Sequence, residues 1–399
     1  MAMVPEGWAS TRLGNVAEFV TSGSRGWASY YSDEGDHFIR ITNLRRSSII
    51  PDYSNMKFVR LPDAGNEGQR TRLKKDDILI SITADLGTIG FIDSAPEKDS
   101  YINQHIALVR LKSGKTVPKF VAYLLASKSH NALFQQLNDA GAKAGLNLPT
   151  IRSVPIYLPP IFEQKRIAEI LSSWDRAIET TEKLIANSQA QKKALMQQLL
   201  TGKKRLPGFQ GPWKKLKLSD LEDGGQITLG RGQVISKKDI KNTPGPYPIY
   251  SSSVKGGGLF GTFGNFMFDE ELITWSVDGG GNFFYRPKHK FNVTNVCGWL
   301  RINTENLSYF FMAQQLQRLH SQLSFDYQTK AHPSVIRELY SVEVPPIDEQ
   351  KAIGHFLGNA DKGIKHLEEY KKQLVSEKAA LMQQLLTGKR RVKIEEAAA

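Results

Sequence analysis

Two short segments carry the residue types of phosphate-binding loops. Residues 256–261 (GGGLFG) have the glycine spacing of a dinucleotide-binding loop, but strand-like aromatic residues follow where that fold requires a helix. The segment from Ser113 to Thr116 resembles the end of a P-loop, but Val109 stands at the position of its first glycine. The backbone there therefore has no cradle for phosphates, and neither segment predicts a nucleotide site.

Residue combinations for nucleic-acid cleavage and methyl transfer are also incomplete. Glu163 with Lys165, and Glu349 with Lys351, match the acid-x-lysine half of a nuclease site, but neither pair has an upstream aspartate in a strand. Both glutamates stand at predicted helix starts, where a negative charge complements the helix dipole. The chain has no Asn-Pro-Pro-Tyr or Asp-Pro-Pro-Tyr segment for amino-group methylation, and its eight histidines lack metal-ligand spacing. We therefore predict a chain that is not an enzyme and holds no cofactor or metal.

The composition favours a polyanionic partner. The 399 residues carry a net charge of +13 and have a pI near 9.5, which makes nucleic acid the leading candidate, although the excess of lysine is also compatible with simple solubilisation. A single cysteine, Cys297, excludes intrachain disulfides and the usual Cys-based zinc sites. No apolar stretch is long enough to span a bilayer, and residues 1–12 lack the apolar region of a signal peptide. We expect a cytoplasmic protein without membrane contact.

Polar residues in turns rich in Gly, Ser and Asn are suited to hydrogen bonding with DNA base edges. Arg and Lys pair with guanine O6 and N7, and Asn and Gln pair with adenine N6 and N7. Loops on a rigid frame usually carry such contacts. For each residue the plain alternative is a turn-forming or solvated role. The candidates are Ser24, Arg25, Asn43, Thr83, Thr88, Asn103, Gln104 and Lys143 in the first half, and Arg231, Ser252, Ser253, Lys255, Asn282, Tyr327, Gln328 and Lys330 in the second.

The elements around these turns predict two mixed α/β modules. In the first module, residues 38–41, 78–82, 88–92 and 105–109 read as strands, and residues 118–137 read as a helix ended by Gly141. In the second module, residues 272–275 and 283–285 read as strands and residues 307–323 as a helix.

A repeated segment separates the modules. Residues 159–205 return as residues 345–391, with 23 of 47 positions identical and one unbroken run of ten, 194–203 and 380–389. Apolar positions recur in a 4,3,4,3 rhythm, which predicts a long helix suited to helix pairing. Paired prolines mark each start, and Gly202 and Gly388 mark the ends. The general alternative for such a repeat is two ordinary paralogous domains.

Connectivity predicts the arrangement of the two helices. The first ends where the second module begins, and the other begins where that module ends, so paired helices must run antiparallel and hold the modules apart. The flank after the first helix, residues 206–221, has the same pattern of Pro, Gly, Trp and Leu as residues 4–16 at the chain start. The repeat is therefore circular, with a pseudo-twofold axis of the kind expected for a pseudo-symmetric partner.

These features resemble the specificity subunit of type I restriction–modification systems. The entry PPIxEQ at residues 159–164 and 345–350 and the exit LMQQLLTGK at residues 195–203 and 381–389 carry the resemblance, with weaker strand-and-turn patterns at 77–81, 87–90, 272–274 and 279–280. The resemblance covers essentially the whole chain. It implies target recognition domains at residues 1–158 and 206–344, helical segments at 159–205 and 345–391, and a disordered tail at 392–399.

The same resemblance implies a DNA reader with enzymatic partners. Each recognition domain would read one half of a split DNA sequence, and the helices would separate the halves. One such chain would assemble with two adenine-N6 methyltransferase subunits and two restriction subunits, and these partners would use S-adenosylmethionine, ATP and Mg. The alternative reading is a coiled-coil DNA-binding regulator or chromosome-structuring protein without enzymatic partners. The target sequence and spacer length do not follow from the residues.

Overall fold

The chain forms two compact units. A computed structural model describes residues 5–61, 68–138, 145–253, 255–278, 282–323 and 330–392. Unit 1 comprises residues 1–183 and 368–399, and unit 2 comprises residues 184–367. Each unit thus combines one module with part of each repeat helix. Of the predicted tail, residues 393–399 lie outside the described part of the chain.

In its described residues, the module of unit 1 has short strands and four short α-helices. The strands are β1 (Ala9–Arg12), β2 (Ala17–Ser22), β3 (Tyr31–Ser32), β4 (Asp36–Ile39), β5 (Lys57–Val59), β6 (Ile78–Ser81), β7 (Ile89–Phe91), β8 (Ser100–Ile102), β9 (Ile106–Leu111) and β10 (Pro155–Leu158). The helices are α1 (Leu13–Val16), α2 (Pro118–Leu125), α3 (Lys128–Gln136) and α4 (Leu148–Ser153).

Two four-stranded sheets organise this module. One has the order β2-β9-β6-β7 and is antiparallel, and the other has the order β3-β5-β4-β8 with β4 and β8 parallel. Strand β6 is buried at all four positions because strands flank it on both sides and Phe120 and Leu124 of α2 belong to the same core as Ile78 and Ile80. Strand β1 pairs with β10. The chain therefore enters and leaves the module side by side.

The long helix α5 (Ile161–Leu199) leads into unit 2. The strands of unit 2 are β11 (Lys214–Lys217), β12 (Ile227–Arg231), β13 (Tyr247–Tyr250), β14 (Leu259–Phe263), β15 (Phe268–Ser276), β16 (Phe283–Val293), β17 (Cys297–Ile302) and β18 (Ser341–Val344). Its short helices are α6 (Leu218–Asp223), α7 (Lys237–Asn242), α8 (Tyr309–His320) and α9 (Pro333–Leu339), and α10 (Ile347–Leu385) is the second long helix.

Unit 2 repeats the strand plan of unit 1. Its six-stranded sheet has the order β12-β17-β15-β16-β13-β14, in which β12, β17, β15 and β16 match β2, β9, β6 and β7. Strand β16 is 11 residues long and continues into a parallel pairing with β13, as β8 pairs with β4 in unit 1. Strands β11 and β18 close the module as β1 and β10 do. Two unlike sequences therefore adopt one fold, and the predicted mixed α/β class is confirmed.

The predicted elements are found with one correction. The predicted strands correspond to β4, β6, β7, β9, β15 and β16, and the predicted helix over residues 307–323 is α8. The single helix over residues 118–137 is wrong, because α2 ends at Leu125 and α3 begins at Lys128. Ser127 accounts for the break, since its hydroxyl accepts a hydrogen bond from His130 N and caps α3. Gly141, the predicted stop, lies outside the described residues.

Each long helix has 39 residues and ends at a glycine-dependent turn. Gly202 and Gly388 follow the helices with φ of 64° and 67°, a left-handed conformation that favours glycine. Gly388 is also tightly packed, because a Cβ there would lie 2.5 Å from Pro5 Cγ. The predicted glycine stops are confirmed.

Ion pairs show how the helices run within each unit. In unit 1, Asp175 of α5 pairs with Lys378 of α10 at 2.5 Å, and Glu182 pairs with Lys371 at 2.9 Å. In unit 2, Lys192 pairs with Asp361 at 2.5 Å. In the repeat, Lys192 corresponds to Lys378 and Asp361 to Asp175, so the two ion pairs are equivalent. The two helix segments in unit 1 are antiparallel, since residue numbers rise along α5 as they fall along α10.

Each long helix has in its first turn a buried glutamate that pairs with an arginine, and both residues occur in the two copies of the repeat. Glu163 receives two hydrogen bonds of 2.8 Å from Arg391 in unit 1. Glu349 is fully buried and receives two of 2.5 Å from Arg205 in unit 2. These bidentate pairs join the start of one helix to the chain just beyond the other, which explains why both residue types recur in the repeat.

The neighbouring glutamine fastens each module to its helix. In unit 1, Gln164 Oε1 accepts a hydrogen bond from Val117 N at 2.9 Å. In unit 2, Gln350 Oε1 accepts one from Ser308 N at 3.0 Å. Both glutamines are nearly fully buried, and each amide also donates to the carbonyl that precedes its helix. The Glu-Gln sequence is therefore a docking element and not half of a nuclease site.

Candidate nucleic-acid interface

Loops of unit 1 meet at one edge of its antiparallel sheet. They follow β2 and β6, connect β8 to β9 and precede α4, and we call them together the unit 1 edge. Ser24 and Asn103 form an isolated parallel bridge there. Backbone hydrogen bonds join the loops: Gly23 N to Ile106 O (3.4 Å), Ile82 N to His105 O (3.0 Å), Ile106 N to Asn103 O (3.2 Å) and Leu146 N to Ile82 O (2.8 Å).

Unit 2 has the same backbone frame in the corresponding loops, which we call the unit 2 edge. Gln233 and Thr294 form its isolated parallel bridge. The corresponding hydrogen bonds are Gly232 N to Cys297 O (3.1 Å), Val277 N to Val296 O (3.0 Å), Cys297 N to Thr294 O (2.9 Å) and Ala331 N to Val277 O (2.9 Å). Because these bonds use main-chain atoms, the frame leaves the side chains of the edge free to differ.

A glycine permits the close backbone approach in each frame. A Cβ on Gly23 would lie 2.2 Å from the carbonyl of Asn103, and a Cβ on Gly232 would lie 1.9 Å from Val293 O. No side chain fits at either position. The residues that follow, Ser24 and Gln233, are thereby held at equivalent places in the two edges.

The unit 1 edge contains five of the predicted residues, and three of them contact His105, which sequence reasoning missed. Gln104 Nε2 lies 3.0 Å from His105 Nε2, and Thr83 Oγ1 lies 2.9 Å from Nδ1 of the same ring. With Gln104 as donor, the ring proton sits on Nδ1 and points to Thr83. Asn103 Oδ1 accepts from the His105 amide at 3.1 Å. The remaining two members are Ser24, in the bridge, and Arg25, which is exposed.

Arg70 also belongs to the unit 1 edge and has no sequence signal. Its side chain is exposed, donates to Ser22 O at 2.7 Å, and contacts the hydroxyls of Thr21 and Ser24. It makes no ion pair with any residue that the structure describes. The edge therefore presents two arginines, Arg25 and Arg70, whose charges are available to a polyanion.

The unit 2 edge carries a different set of polar groups. Arg231 is exposed and donates from Nε to Asn295 O at 2.9 Å. Lys330 pairs with Asp278 at 3.0 Å and keeps about half of its side chain exposed. Gln233 is exposed and was missed by sequence reasoning. Asn282 directly precedes β16, and its Oδ1 accepts a hydrogen bond from Gln317 of α8 at 3.3 Å.

Two predicted residues are buried in their own loops. Asn43 is 2 % exposed, and its side chain bonds to Arg40 N, Asp52 O and Asn55 O. Thr88 is also 2 % exposed, and its hydroxyl donates to Asp85. Both close turns, so burial argues against a contact between either side chain and a base edge.

The loop after β13 lies beside the unit 2 edge. Thr294 Oγ1 donates to Ser251 Oγ at 3.0 Å, and Ser252 and Ser253 follow as half-buried and exposed residues. The remaining predicted residues, Lys143, Tyr327 and Gln328, lie outside the described part of the chain, as does the side chain of Lys255.

Two other kinds of feature are absent from the described residues. Among the described residues, no three His, Cys, Asp or Glu side chains are grouped so that they could hold a metal ion. Within the same part of the chain, no helix combines the length and apolarity needed to cross a membrane.

Comparison with known proteins identifies a family. A family model described as the type I restriction modification DNA specificity domain matches the chain twice, over residues 5–187 and 211–376. A putative type I restriction enzyme MjaX specificity subunit from Methanocaldococcus jannaschii is 27% identical over 420 aligned positions, covering 98% of this chain and 95% of the relative. A putative type I specificity subunit N-terminus from Mycoplasma pneumoniae is 40% identical over 106 residues, 26% of this chain and 54% of the relative.

Solved structures show the same fold. The crystal structure of a type I restriction–modification S subunit from M. genitalium superposes with a TM-score of 0.63 at 15% identity, covering 98% of this chain and all of that one. A chain from a study of complex assembly and conformational transition of the type I R-M system gives a TM-score of 0.57 at 17% identity, covering 97% of this chain and all of that one. With both family matches centred on the two modules, the chain belongs to the family of type I restriction–modification DNA specificity subunits.

Proposed function

We propose that this chain reads a bipartite DNA sequence, with the unit 1 edge contacting one half-site and the unit 2 edge the other. The observation that carries the proposal is the pair of matching backbone frames that display different side chains. Such a pair suits two readers that approach DNA in the same way and recognise different bases. The proposed recognition domains span residues 1–158 and 206–344.

The base contacts are assigned to side chains of the two edges. In unit 1 these are Ser24, Arg25, Thr83, Asn103, Gln104 and His105, and Lys143 remains an expectation. In unit 2 they are Arg231, Gln233 and Lys330, with Ser252, Ser253, Lys255, Asn282, Tyr327 and Gln328 as expectations. Asn43 and Thr88 are left out because they are buried.

Backbone phosphates supply much of the proposed affinity. A net charge of +13 implies that DNA binding releases condensed counterions. The logarithm of the affinity should then fall linearly with the logarithm of the salt concentration. An affinity that stays constant between about 50 and 200 mM salt would contradict this part of the proposal.

The chain itself carries no catalysis in this proposal. One copy assembles with two adenine-N6 methyltransferase subunits and two restriction subunits, and these partners bind S-adenosylmethionine, ATP and Mg. Since its target is cellular DNA, the complex works in the cytoplasm. The family membership and the absence of a complete catalytic motif in the sequence support this assignment.

Module exchange tests the proposal. Residues 1–158 are replaced by the same region of a related subunit, and methylated sites are mapped in cells that carry the parent or the exchanged chain. We expect one half-site to change and the other to persist, because β1 and β10 close the module where it joins the helices. Matched exchange of residues 206–344 should change the opposite half-site. Alteration of both half-sites by either exchange would refute independent reading.

A further inference from the structure

Unit 2 contains a buried arginine without a carboxylate. Arg286 on β16 is 7 % exposed, and its guanidinium lies 3.6 Å from the ring centroid of Tyr250 and 4.7 Å from that of Phe284. Its Nε donates to Thr274 Oγ1 at 2.9 Å and its Nη2 donates to Gly257 O at 2.6 Å. A further side-chain hydrogen bond joins the guanidinium to Tyr250. A guanidinium has five N–H groups, so two of them donate to no residue that the structure describes.

This arrangement is costly unless an anion completes it. Arg205, Arg301 and Arg337 of the same unit each have a carboxylate within 3 Å, whereas Arg286 forms no ion pair with any described residue. A buried charge without a counter-charge destabilises the folded state. Burial accordingly lowers the pKa of Arg286, although the group stays protonated at neutral pH. The aromatic rings compensate the charge only in part.

A glycine turn lies against the same guanidinium. Gly256, Gly257 and Gly258 have φ of 60°, 66° and 85°, so the turn is left-handed throughout. A Cβ on Gly258 would lie 3.3 Å from Arg286 Nη2, whereas a Cβ on Gly256 would meet nothing within 4 Å. The glycines thus hold the backbone close to the arginine and leave the outer side of the turn open.

We propose that Arg286 and the glycine turn form a phosphate site that binds one backbone phosphate of the DNA half-site read by unit 2. The proposal rests on the function proposed above. The location of Arg286 supports the proposal. The ring of Tyr250 stacks on its guanidinium, and Tyr250 O accepts a hydrogen bond of 2.9 Å from Thr294 N of the unit 2 edge. A phosphate contact fixes the register of the protein on the duplex and carries no sequence information.

Neutral phosphate analogues test the site. The full chain, assembled with the methyltransferase partners proposed above, is titrated with duplexes in which single phosphates of each half-site are replaced by methylphosphonate. We expect one position in the unit 2 half-site to weaken binding about tenfold or more, the size of a charge-assisted hydrogen bond. The variant R286M should bind the natural duplex as weakly as the parent chain binds that analogue. Replacing the same phosphate by methylphosphonate should not weaken the binding of R286M further.

The variant R286M also separates binding from folding. Replacing an unpaired buried charge by an apolar side chain of similar length should leave the unfolding temperature unchanged or raise it. The slope of log affinity against log salt should become shallower by about 0.9, the value for one phosphate. The control R301M removes an arginine that is paired with Glu270 and should change neither the salt slope nor the phosphate map.

Other outcomes are decisive. If the parent chain binds its mapped DNA but R286M keeps the same phosphate map and salt slope, the site is refuted and the proposed function stands. The same holds if R286M lowers the unfolding temperature without changing the map, because Arg286 is then only a structural support. If the site binds inorganic phosphate but couples to no DNA phosphate, it is an adventitious anion site. If the parent assembly itself fails to bind DNA, the proposed function fails first.

Discussion

The repeat supplies two copies of one ion pair in different surroundings, and their loss should have different costs. In unit 1, the side chains of Lys378 and Asp175 are 8 % and 15 % exposed, and Asp175 also accepts a hydrogen bond from Tyr123 at 2.5 Å. In unit 2, the side chains of Lys192 and Asp361 are 19 % and 47 % exposed. Lys378→Met leaves a largely buried carboxylate without its cation, which should cost about 3–5 kcal/mol. Lys192→Met leaves a carboxylate in contact with water and should cost about 1 kcal/mol or less.

Thermal unfolding of the two variants measures this difference. At about 2–4 °C per kcal/mol for a unit of this size, Lys378→Met should lower the unfolding temperature of unit 1 by roughly 6–20 °C. Lys192→Met should lower that of unit 2 by about 4 °C or less. The double variant Lys378→Met with Asp175→Leu should recover most of the loss, because an apolar pair replaces a buried ion pair at little cost. Equal losses in the two single variants, or a double variant as unstable as Lys378→Met, would refute the reasoning.

Two further results are expected. Burial lowers the pKa of His130 below its usual 6.5, so its contribution to the stability of unit 1 should be complete above about pH 6.5 and decline as the pH falls towards the lowered pKa. His130→Gln, which does not titrate, should flatten that decline in unfolding measured between pH 7.5 and 5.5, and an unchanged pH profile would contradict the assignment. Gly388→Ala should destabilise its unit more than Gly202→Ala, because both glycines have positive φ but only Gly388 has a neighbouring atom 2.5 Å from the added Cβ. Equal unfolding temperatures for the two alanine variants would contradict the packing argument.

The helices and most strands follow directly from local sequence. The 4,3,4,3 rhythm, the paired prolines and the two terminal glycines are all local signals, and they define α5 and α10 to within a few residues. The continuous apolar runs of β6 and β9 are local signals too, and they predict two buried strands. The division between α2 and α3 was missed because the apolar pattern continues across Ser127, whose capping hydrogen bond depends on its own rotamer and not on periodicity.

The two edges do not follow from local sequence. Their frames consist of main-chain hydrogen bonds between residues far apart in the chain, such as Ile82 with His105 and Val277 with Val296. Because main-chain atoms are the same in nearly every residue, these bonds do not require particular residue types and cannot be recognised in the sequence. The glycines at the close approaches are visible in the sequence but cannot be told from ordinary turn glycines. Arg286 was missed for a related reason. Its strand also contains Lys288 and Lys290, which are exposed. A register shift against β15 lies between Arg286 and His289, so alternation along the strand does not predict that Arg286 is buried.

The division between repeated and divergent residues has a physical cause. Contacts that join a module to its helices use side chains, such as Glu163 with Arg391 and Gln164 with Val117 N, so a change at any of these positions removes a buried hydrogen bond. Contacts that build the edges use the backbone, so a residue such as Gln104 or Asn295 can change without disturbing the frame. One chain can therefore keep similar sequences in its two long helices and still present different side chains at its two edges. By the same argument, new DNA specificities should arise most readily by substitution in the edge loops, and least readily at the buried Glu-Gln pairs.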